Sequence, residues 1–196
     1  MTTVVIIHGT ENNSQGNWFG WLASELSLRG VSVIAPDFPT PDRQNLTNWL
    51  AVYDDAPRNI RPEEIVIVGH STGAVMALRL AERTTVPYAA ICAVCPFAED
   101  LGLTPYDDLN SSFAQPPWNW QRVQRGAKHL VLLAGQDDPY VPLPIAQRVA
   151  TSAHAELIIV ENGGHLNAER GFTTFPLLLN LIEPFLNTAT LREISI

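Results

Sequence analysis

The chain alternates between short, continuously apolar runs and longer stretches with an amphipathic pattern. Val, Ile, Leu and Ala dominate the apolar runs, and few polar residues interrupt them. Such runs are typical of strands buried on both faces, as in a parallel sheet that helices cover. Six strands are predicted, over Thr3–Ile7, Val31–Ala35, Ile65–Val68, Ala89–Val94, His129–Ala134 and Glu156–Val160.

Helices are predicted between and after these strands. In the first predicted helix, Trp18–Arg29, the apolar side chains share one face, and Gly30 follows the last residue. Strands that alternate with helices indicate a single α/β domain over residues 1–196, with a six-stranded parallel sheet, helices on both faces and three layers in all. The predicted helices are Trp18–Arg29, Leu46–Tyr53, Ala74–Arg83, Leu143–Ser152 and Phe172–Leu186.

The segment 97–120 follows neither the strand period nor the helix period, and it is rich in Pro, Gly, Asn and Ser. A long stretch without regular elements is often functional or poorly ordered. We therefore predict a lid-like insertion over residues 97–120. Its tryptophans, Trp118 and Trp120, are candidates for lining a substrate pocket, with anchoring of the segment on the core as the alternative.

Composition narrows the class of protein. Of 196 residues, 46% are hydrophobic and 16% charged, which excludes an intrinsically disordered chain. The formal net charge of −8 argues against nucleic acid and against an anionic membrane surface as partners. No apolar run approaches the ~20 residues that span a bilayer. We expect a cytoplasmic protein without a signal peptide, and the sequence names no protein partner.

The two cysteines, Cys92 and Cys95, lie three residues apart in an apolar run that is predicted to be a strand. Because side chains alternate between the faces of a strand, we expect the two thiols to point in opposite directions. No second Cys or His cluster completes a metal or redox site. The prediction is two buried free thiols, no metal and no cofactor.

The sharpest local signal is Gly69-His70-Ser71-Thr72-Gly73, which has the form G-x-S-x-G. This pattern is typical of a nucleophile elbow, a tight turn that lifts a serine above a sheet at the start of a helix. A predicted strand precedes it and a predicted helix follows it. The alternative is an ordinary Gly-rich turn whose serine caps the helix.

A nucleophilic serine needs a general base, and the chain has five histidines. Catalytic groups gather at the carboxyl ends of parallel strands, whereas His129 and His154 lie at strand beginnings. His70 would point away from its neighbour Ser71, and His8 precedes a glycine that indicates a structural turn. His165 alone follows a strand in a flexible loop, so it is the predicted base.

The third member must follow a strand between the serine and this histidine. The loop after the fifth strand supplies Asp137 and Asp138, which gives the order Ser…Asp…His of the α/β hydrolases. We predict Asp138, because D-x-x-V-P is the usual form of this loop in that superfamily. Asp137 would then brace the turn. Asp37 lies in the wrong part of the chain order and is expected to cap a loop.

An oxyanion hole requires two backbone N–H groups. Thr72, directly after the serine, is expected to supply one of them. The loop after the first strand, His8-Gly9-Thr10, lies at the correct strand end, and Thr10 is the predicted second donor.

Several further motifs occur in the order seen in one family. After His8-Gly9 come Trp18-Phe19-Gly20-Trp21, then the elbow followed by Ala74, Pro117-Trp118-Asn119-Trp120, Asp137-Asp138-Pro139 and Gly163-Gly164-His165. In these residues the chain resembles the small serine hydrolases of the retinoblastoma-binding protein 9 / YdeN type, over nearly its whole length. The resemblance implies a minimal α/β hydrolase that lacks the first two strands of the fold, with a triad of Ser71, Asp138 and His165. It names no substrate.

The sequence therefore predicts a cofactor-free serine hydrolase that acts on a small ester or, less readily, an amide. Two alternatives remain open: a non-catalytic binding module on the same fold, and an acyltransferase that uses the same triad. A dinucleotide-binding oxidoreductase is disfavoured, since no G-x-G-x-x-G follows the first strand.

Charge bears on the substrate as well. No Lys or Arg lies between Arg83 and Arg122, and we expect the carboxylates of this stretch and of Glu11 to surround the mouth of the site. A mouth of one charge sign repels ligands of the same sign, so neutral or cationic esters are the expected substrates. The alternative is that these carboxylates face bulk water. The carboxylates within the stretch are Glu99, Asp100, Asp107 and Asp108.

Overall fold

A six-stranded parallel sheet organises the part of the chain that the computed structural model describes, residues 2–56 and 59–186. The spatial order is β2-β1-β3-β4-β5-β6, and every neighbouring pair is parallel. The predicted fold class is confirmed. The strands are β1 (Thr3–Ile7), β2 (Ser32–Ile34), β3 (Ile65–His70), β4 (Ala90–Val94), β5 (Leu130–Gly135) and β6 (Glu156–Val160).

Helices cover both faces of this sheet. They are α1 (Phe19–Leu28), α2 (Leu46–Asp55), α3 (Thr72–Arg83), α4 (Tyr106–Ala114), α5 (Trp120–Arg125), α6 (Leu143–Ala153) and α7 (Pro176–Ile182). The buried side chains of α1 and α7 pack on one face, and those of α2 to α6 pack on the other. Short 3-10 turns lie at Pro62–Glu64, Ala168–Arg170 and Glu183–Phe185.

Burial on both faces explains why the strands are continuously apolar. In β1, Val4 and Ile6 join the cluster under α1 and α7, whereas Val5 and Ile7 join the cluster under α2 to α6. All five residues of β1 are buried. A polar side chain at any position from Val4 to Ile7 would lose its water between two apolar clusters, so the strand cannot show the polar alternation of a half-exposed strand.

The absence of regular structure predicted over residues 97–120 is wrong, because this segment contains α4 and the first residue of α5. The buried residues of α4 are Asn110, Phe113 and Ala114, which have the i, i+3, i+4 spacing of one helical face. One member of that face is an asparagine, so a pattern based on hydrophobicity misses the helix. Movement of the segment as a lid stays a prediction.

The last predicted helix, Phe172–Leu186, is shorter in the structure. Pro176 occupies its first position, where the missing N–H costs nothing, and the preceding Phe175 has an extended φ of −144°. Beyond Ile182 the chain tightens into the 3-10 turn that contains Pro184. The end of the predicted domain, residues 187–196, lies outside the described residues.

Both cysteines are free and buried, as predicted, but the expected opposite orientation of their thiols is wrong. The strand ends at Val94, and Cys95 has a left-handed backbone with a φ of 54°. The turn therefore returns Cys95 to the same side of the sheet as Cys92, where both pack in the cluster under α1 and α7.

None of the helices within residues 2–56 and 59–186 combines the length and the apolar character that crossing a bilayer requires.

Gly73→Ala tests how closely α3 approaches β1. A Cβ at Gly73 would lie 2.2 Å from the Ile7 carbonyl oxygen and 2.4 Å from that of His8, and backbone cannot move aside. We expect the free energy of unfolding to fall by about 3 kcal/mol, measured by chemical denaturation. Gly30→Ala is the control: its φ is +73° with nothing within 4 Å, so only the left-handed backbone costs about 1 kcal/mol. Equal losses in the two variants would contradict the close approach.

Candidate active site

The loops that leave the carboxyl ends of β1, β3, β5 and β6 meet at one edge of the sheet. They carry Thr10, Ser71, Asp138 and His165, which sequence reasoning had placed at this edge. The strand register explains the convergence, since the carboxyl ends of paired strands lie level: Ile7 pairs with Gly69, and Gly135 pairs with Val160.

Ser71 occupies the predicted tight turn between β3 and α3. Its φ of 55° and ψ of −122° lie outside the regions that residues with a side chain normally adopt. The Ser71 N–H donates to the Val94 carbonyl at 2.8 Å, and its own carbonyl accepts the Ala74 and Val75 N–H groups. The turn is therefore held by hydrogen bonds to β4 on one side and to α3 on the other.

His165 and Asp138 form a buried hydrogen-bonded pair. The distance between Nδ1 of His165 and Oδ2 of Asp138 is 2.7 Å, and Oδ1 of Asp138 accepts the N–H groups of Tyr140 (2.8 Å) and Val141 (3.0 Å). Burial by itself would raise the pKa of Asp138, but these hydrogen bonds outweigh it and hold the pKa below the usual value. An ionised Asp138 accepts the Nδ1 proton, which leaves Nε2 of His165 free to accept another.

Asp137 has a different role in the structure. Its Oδ1 accepts the Gly164 N–H at 2.8 Å, and its Oδ2 pairs with Arg170. The hydrogen bond from Gly164 lowers the pKa of this exposed carboxyl. Asp137 thus braces the loop that carries His165, as predicted, while Asp138 is the carboxylate in contact with the imidazole.

His70 holds the backbone of His165 in place through a hydrogen bond, a role that sequence reasoning missed. Burial, and secondarily the nearby His165, lowers the pKa of His70 to about 3, so its ring is neutral. A neutral ring that faces a carbonyl must carry its proton on that nitrogen, so Nε2 donates to the His165 carbonyl at 2.8 Å. Trp18 Nε1 donates to the next carbonyl, that of Leu166, at 2.9 Å. The partners are 95 and 148 residues apart, so no local pattern could have revealed them.

The other histidines are structural, as predicted. His8 Nε2 accepts the Phe38 N–H at 2.8 Å, Nδ1 donates to the Gly9 carbonyl, and burial lowers the pKa of the ring. His154 ends α6 in a left-handed conformation, and His129 stacks on Phe185. Asp37 holds a loop by accepting the Ser14 N–H at 2.7 Å.

A cavity of about 240 Å³ opens above Ser71. Ser71, His165 and Thr10 all line it, and so does Gly9. A Cβ at Gly9 would lie 3.0 Å from the Ser71 Cβ, so the backbone of the loop after β1 passes directly beside the serine. Thr72 is the first residue of α3, and the first amides of a helix have no partner within it. Thr72 therefore follows the serine at the start of α3, and Thr10 lies in the loop that passes beside it.

The structure does not bring Trp118 and Trp120 to this cavity, and neither is among the described residues that line it. Their rings stack on each other with centroids 4.9 Å apart, and the Arg79 guanidinium lies 3.5 Å from the Trp118 ring centroid. Trp118 Nε1 donates to the Ala114 carbonyl at 2.9 Å. The two tryptophans anchor the end of the 97–120 segment against α3, which was the alternative interpretation.

A polar network behind the cavity was not predicted. Thr10 Oγ1 and Thr72 Oγ1 are 2.7 Å apart, and Oδ1 of Asn110 lies 2.7 Å from Thr72 Oγ1 and 3.0 Å from Thr10 Oγ1. Gln44 Nε2 donates to Thr10 Oγ1 (2.8 Å) and to Asn110 Oδ1 (2.9 Å). The network thus joins four separate segments of the chain, each of which contributes one of these side chains.

The ligand atoms of His70, Cys95 and His165 lie within 4.8 Å of one another, close enough for a metal ion. Nε2 of His70 and Nδ1 of His165 are already engaged in hydrogen bonds. A metal at this place would compete for Nε2 of His165, the nitrogen that a nearby serine hydroxyl would need as its proton acceptor.

Comparison with known proteins defines the class. The family model described as serine hydrolase matches residues 4–183, and the chain belongs to this family. It is similar to the YdeN protein of Bacillus subtilis, with 29% identity over 95% of this chain and 97% of that protein. It is also similar to the serine hydrolase RBBP9 of Rattus norvegicus, with 28% identity over 96% and 97% of the two chains.

The solved structures agree on the fold. The crystal structure of the ydeN gene product from B. subtilis has a TM-score of 0.86, with 94% of this chain and 98% of that chain covered and 29% identity. Est1E from Butyrivibrio proteoclasticus, solved with ferulic acid, has a TM-score of 0.72 at 17% identity, with 94% and 88% of the two chains covered, and shows likeness of fold alone.

Asp138→Asn and Asp137→Asn separate the two adjacent carboxylates. An amide at residue 138 can donate to Nδ1 of His165 and so favour the wrong imidazole tautomer, a change that costs about 10⁴ in kcat in a chymotrypsin-type protease. We expect a comparable loss in ester hydrolysis for Asp138→Asn. Asp137→Asn keeps an oxygen for the Gly164 N–H and should lose less than about tenfold. If Asp137→Asn were the inactive variant, the assignment would be wrong by one residue.

Proposed function

We propose that this serine hydrolase cleaves small carboxylic esters, and amides less readily, through an acyl-enzyme on Ser71. The observation that carries the proposal is the 2.7 Å hydrogen bond between His165 and Asp138 at a cavity lined by Ser71. The bond directs one imidazole nitrogen to the carboxylate and leaves the other as a proton acceptor. The volume of about 240 Å³ favours a short acyl group.

Acylation begins when Ser71 Oγ attacks the carbonyl carbon and transfers its proton to Nε2 of His165. The imidazolium that forms is stabilised by Asp138, whose charge is retained inside the protein by three hydrogen bonds. His165 then gives the proton to the leaving alcohol as the C–O bond breaks.

The negative charge that develops on the carbonyl oxygen needs donors that are already in place. The N–H groups of Thr72 and Thr10 are proposed for this role, because Thr72 follows Ser71 at the start of α3 and Thr10 lines the cavity together with Ser71. Such donors stabilise the transition state more than the bound ester, because the charge exists only there.

Deacylation follows the same steps as acylation, with water as the nucleophile in place of Ser71. His165 accepts a proton from the water, the hydroxide attacks the acyl-enzyme, and Ser71 leaves with the proton returned by His165. The groups named here and water suffice for every step, which supports the prediction that no cofactor is needed.

Ser71→Ala tests the nucleophile. Because triad residues act as a unit, we expect ester hydrolysis to fall by about 10³-fold or more and labelling by a fluorophosphonate probe to disappear. His165→Ala should lose nearly as much turnover. Both are measured on a panel of p-nitrophenyl esters of increasing acyl length, with the free acid quantified so that transfer to water is distinguished from transfer to another acceptor.

A matched control is Ser112→Ala, which removes a hydroxyl that accepts the Leu46 N–H far from the nucleophile in sequence. It should retain both labelling and hydrolysis. Turnover in purified Ser71→Ala would exclude the mechanism, and a wild-type protein that neither reacts with the probe nor hydrolyses any ester would favour the binding-module alternative.

The acidic character of the mouth comes from residues different from those expected. Glu99 pairs with Arg148, and Asp107 accepts the N–H groups of Leu101 and Leu103. Of the five expected carboxylates, only Glu11 lines the cavity, where it is joined by Glu169, which sequence reasoning missed.

Two tyrosines accompany these carboxylates. The Tyr106 hydroxyl donates to Glu11 at 3.4 Å and the Tyr140 hydroxyl to Glu169 at 3.1 Å. Among the cavity-lining residues that the structure describes, none is Lys or Arg. The mouth therefore carries negative charge without a cation to clamp an anionic substrate.

Substrate charge should follow from this arrangement. A neutral ester should have about three- to tenfold higher kcat/KM than its succinyl-type anionic counterpart at low salt, and the ratio should shrink as salt screens the field. Glu11→Gln with Glu169→Gln should also reduce the ratio, whereas Glu99→Gln, whose carboxylate is paired with Arg148, should leave it unchanged. A preference for the anion, or a ratio insensitive to the double variant, would contradict the prediction.

A further inference from the structure

Asn110 is a buried polar residue at the cavity that the proposed mechanism does not use. It belongs to α4, its exposed fraction is 5%, and it lines the cavity together with Ser71 and His165. A buried amide without full hydrogen bonding costs free energy, so its presence here requires an explanation.

The direction of the network fixes which end of the Asn110 amide faces the threonines. Two neighbours fix the orientation of the Gln44 amide. The Thr40 hydroxyl accepts the Glu11 N–H, so it donates its own proton to Gln44 Oε1. On the other side, the Leu109 carbonyl can only accept, and it faces Gln44 Nε2. The Nε2 group of Gln44 must therefore be the end that faces Asn110, and the Asn110 atom it meets must be an acceptor.

Oδ1 of Asn110 is thus committed to Gln44 and Thr72. The Nδ2 group is left over. No hydrogen bond joins Nδ2 to any of the described residues. Among those residues, the side-chain atoms that are both fully enclosed and unpaired are His70 Nδ1 and Asn167 Oδ1, and Asn110 Nδ2 is not one of them. The nitrogen therefore reaches open space, and the open space that Asn110 borders is the cavity.

We propose that the Nδ2 group of Asn110 is a third, side-chain donor to the oxygen of the substrate carbonyl, beside the N–H groups of Thr10 and Thr72. This inference rests on the proposed function. The amide is held by hydrogen bonds to the side chains of the same two threonines, within 2.7 and 3.0 Å of their hydroxyls. Its other end therefore lies next to the place where the oxyanion forms.

The network also explains why such a donor would be effective. Donors aligned before the reaction stabilise a developing charge without reorganising at that moment. Asn110 cannot rotate its amide without leaving the Gln44 and Thr72 donors unpaired inside the protein, so its Nδ2 group is fixed.

The decisive variant is Asn110→Asp, which has nearly the same shape. Its carboxylate still accepts from Thr72 and Gln44, so the network is retained, but the donor toward the cavity is lost. We expect kcat for a neutral p-nitrophenyl ester to fall on the order of 10²-fold at pH 8, with KM changed only a few-fold. Ser112→Ala, on the same helix, is the matched control and should keep wild-type values of both.

The pH dependence provides a readout that a merely structural role would not produce. Protonation of the carboxyl introduced by Asn110→Asp gives it an O–H group, which can again donate toward the cavity. The ratio of variant to wild-type kcat/KM should therefore increase as the pH falls into the range in which this carboxyl takes up a proton. The other titratable groups that line the cavity, His70, His165, Glu11, Glu169, Tyr106 and Tyr140, are present in both proteins, and the wild-type pH profile is measured in parallel as their reference.

Asn110→Ser is the second variant, since it removes the donor without introducing a charge that could repel the oxyanion or prevent folding. It should also lose kcat rather than raise KM. Wild-type kcat in either folded variant would overturn the proposal. Failure of the proposed function is distinguishable from these outcomes, because the wild-type protein itself would then show neither labelling nor hydrolysis.

Discussion

The close packing of the turn between β3 and α3 against the end of β1 is the constraint on which the site depends. A Cβ at Gly69 would lie 2.2 Å from the Gly73 carbonyl oxygen, and one at Gly73 equally close to that of Ile7. The turn can only be this tight because both positions lack a side chain. It places Ser71 in a strained conformation beside Gly9, and the energy of that strain is offset by the packing of α3, nine residues of which are buried.

The sheet and the central residues of the site were predictable, because each depends on a local pattern at a strand end. All six strands were predicted within two residues of their observed bounds. Burial on both faces gives each parallel strand the same continuous run of apolar residues. Ser71 follows such a strand directly, and Asp138 and His165 lie three and five residues after the ends of β5 and β6. Their encounter at one edge then follows from parallel topology alone, without knowledge of any side-chain contact.

The features that escaped prediction depend on contacts between distant segments. Helix α4 was hidden because Asn110 stands on its buried face, and that asparagine is buried only because Thr10, Gln44 and Thr72 supply its hydrogen bonds. Glu169 reaches the cavity through the loop that follows His165, whose course no periodicity describes. Trp118 was predicted as a candidate pocket residue, because an aromatic side chain can line a pocket or pack on a core. In the structure its contacts with Arg79 and Trp120 hold it against α3, away from the cavity.

The neutral charge state of His70 is compatible with the proposed mechanism. In that proposal a proton moves from Ser71 to His165, next to Asp138, while backbone donors stabilise the oxyanion. A charged His70, with its ring 4.8 Å from that of His165, would oppose formation of the imidazolium. Burial lowers the pKa of His70 to about 3, so the His70 ring is neutral near neutral pH. His70 can therefore hold the His165 backbone in place without adding a charge that the reaction would have to overcome.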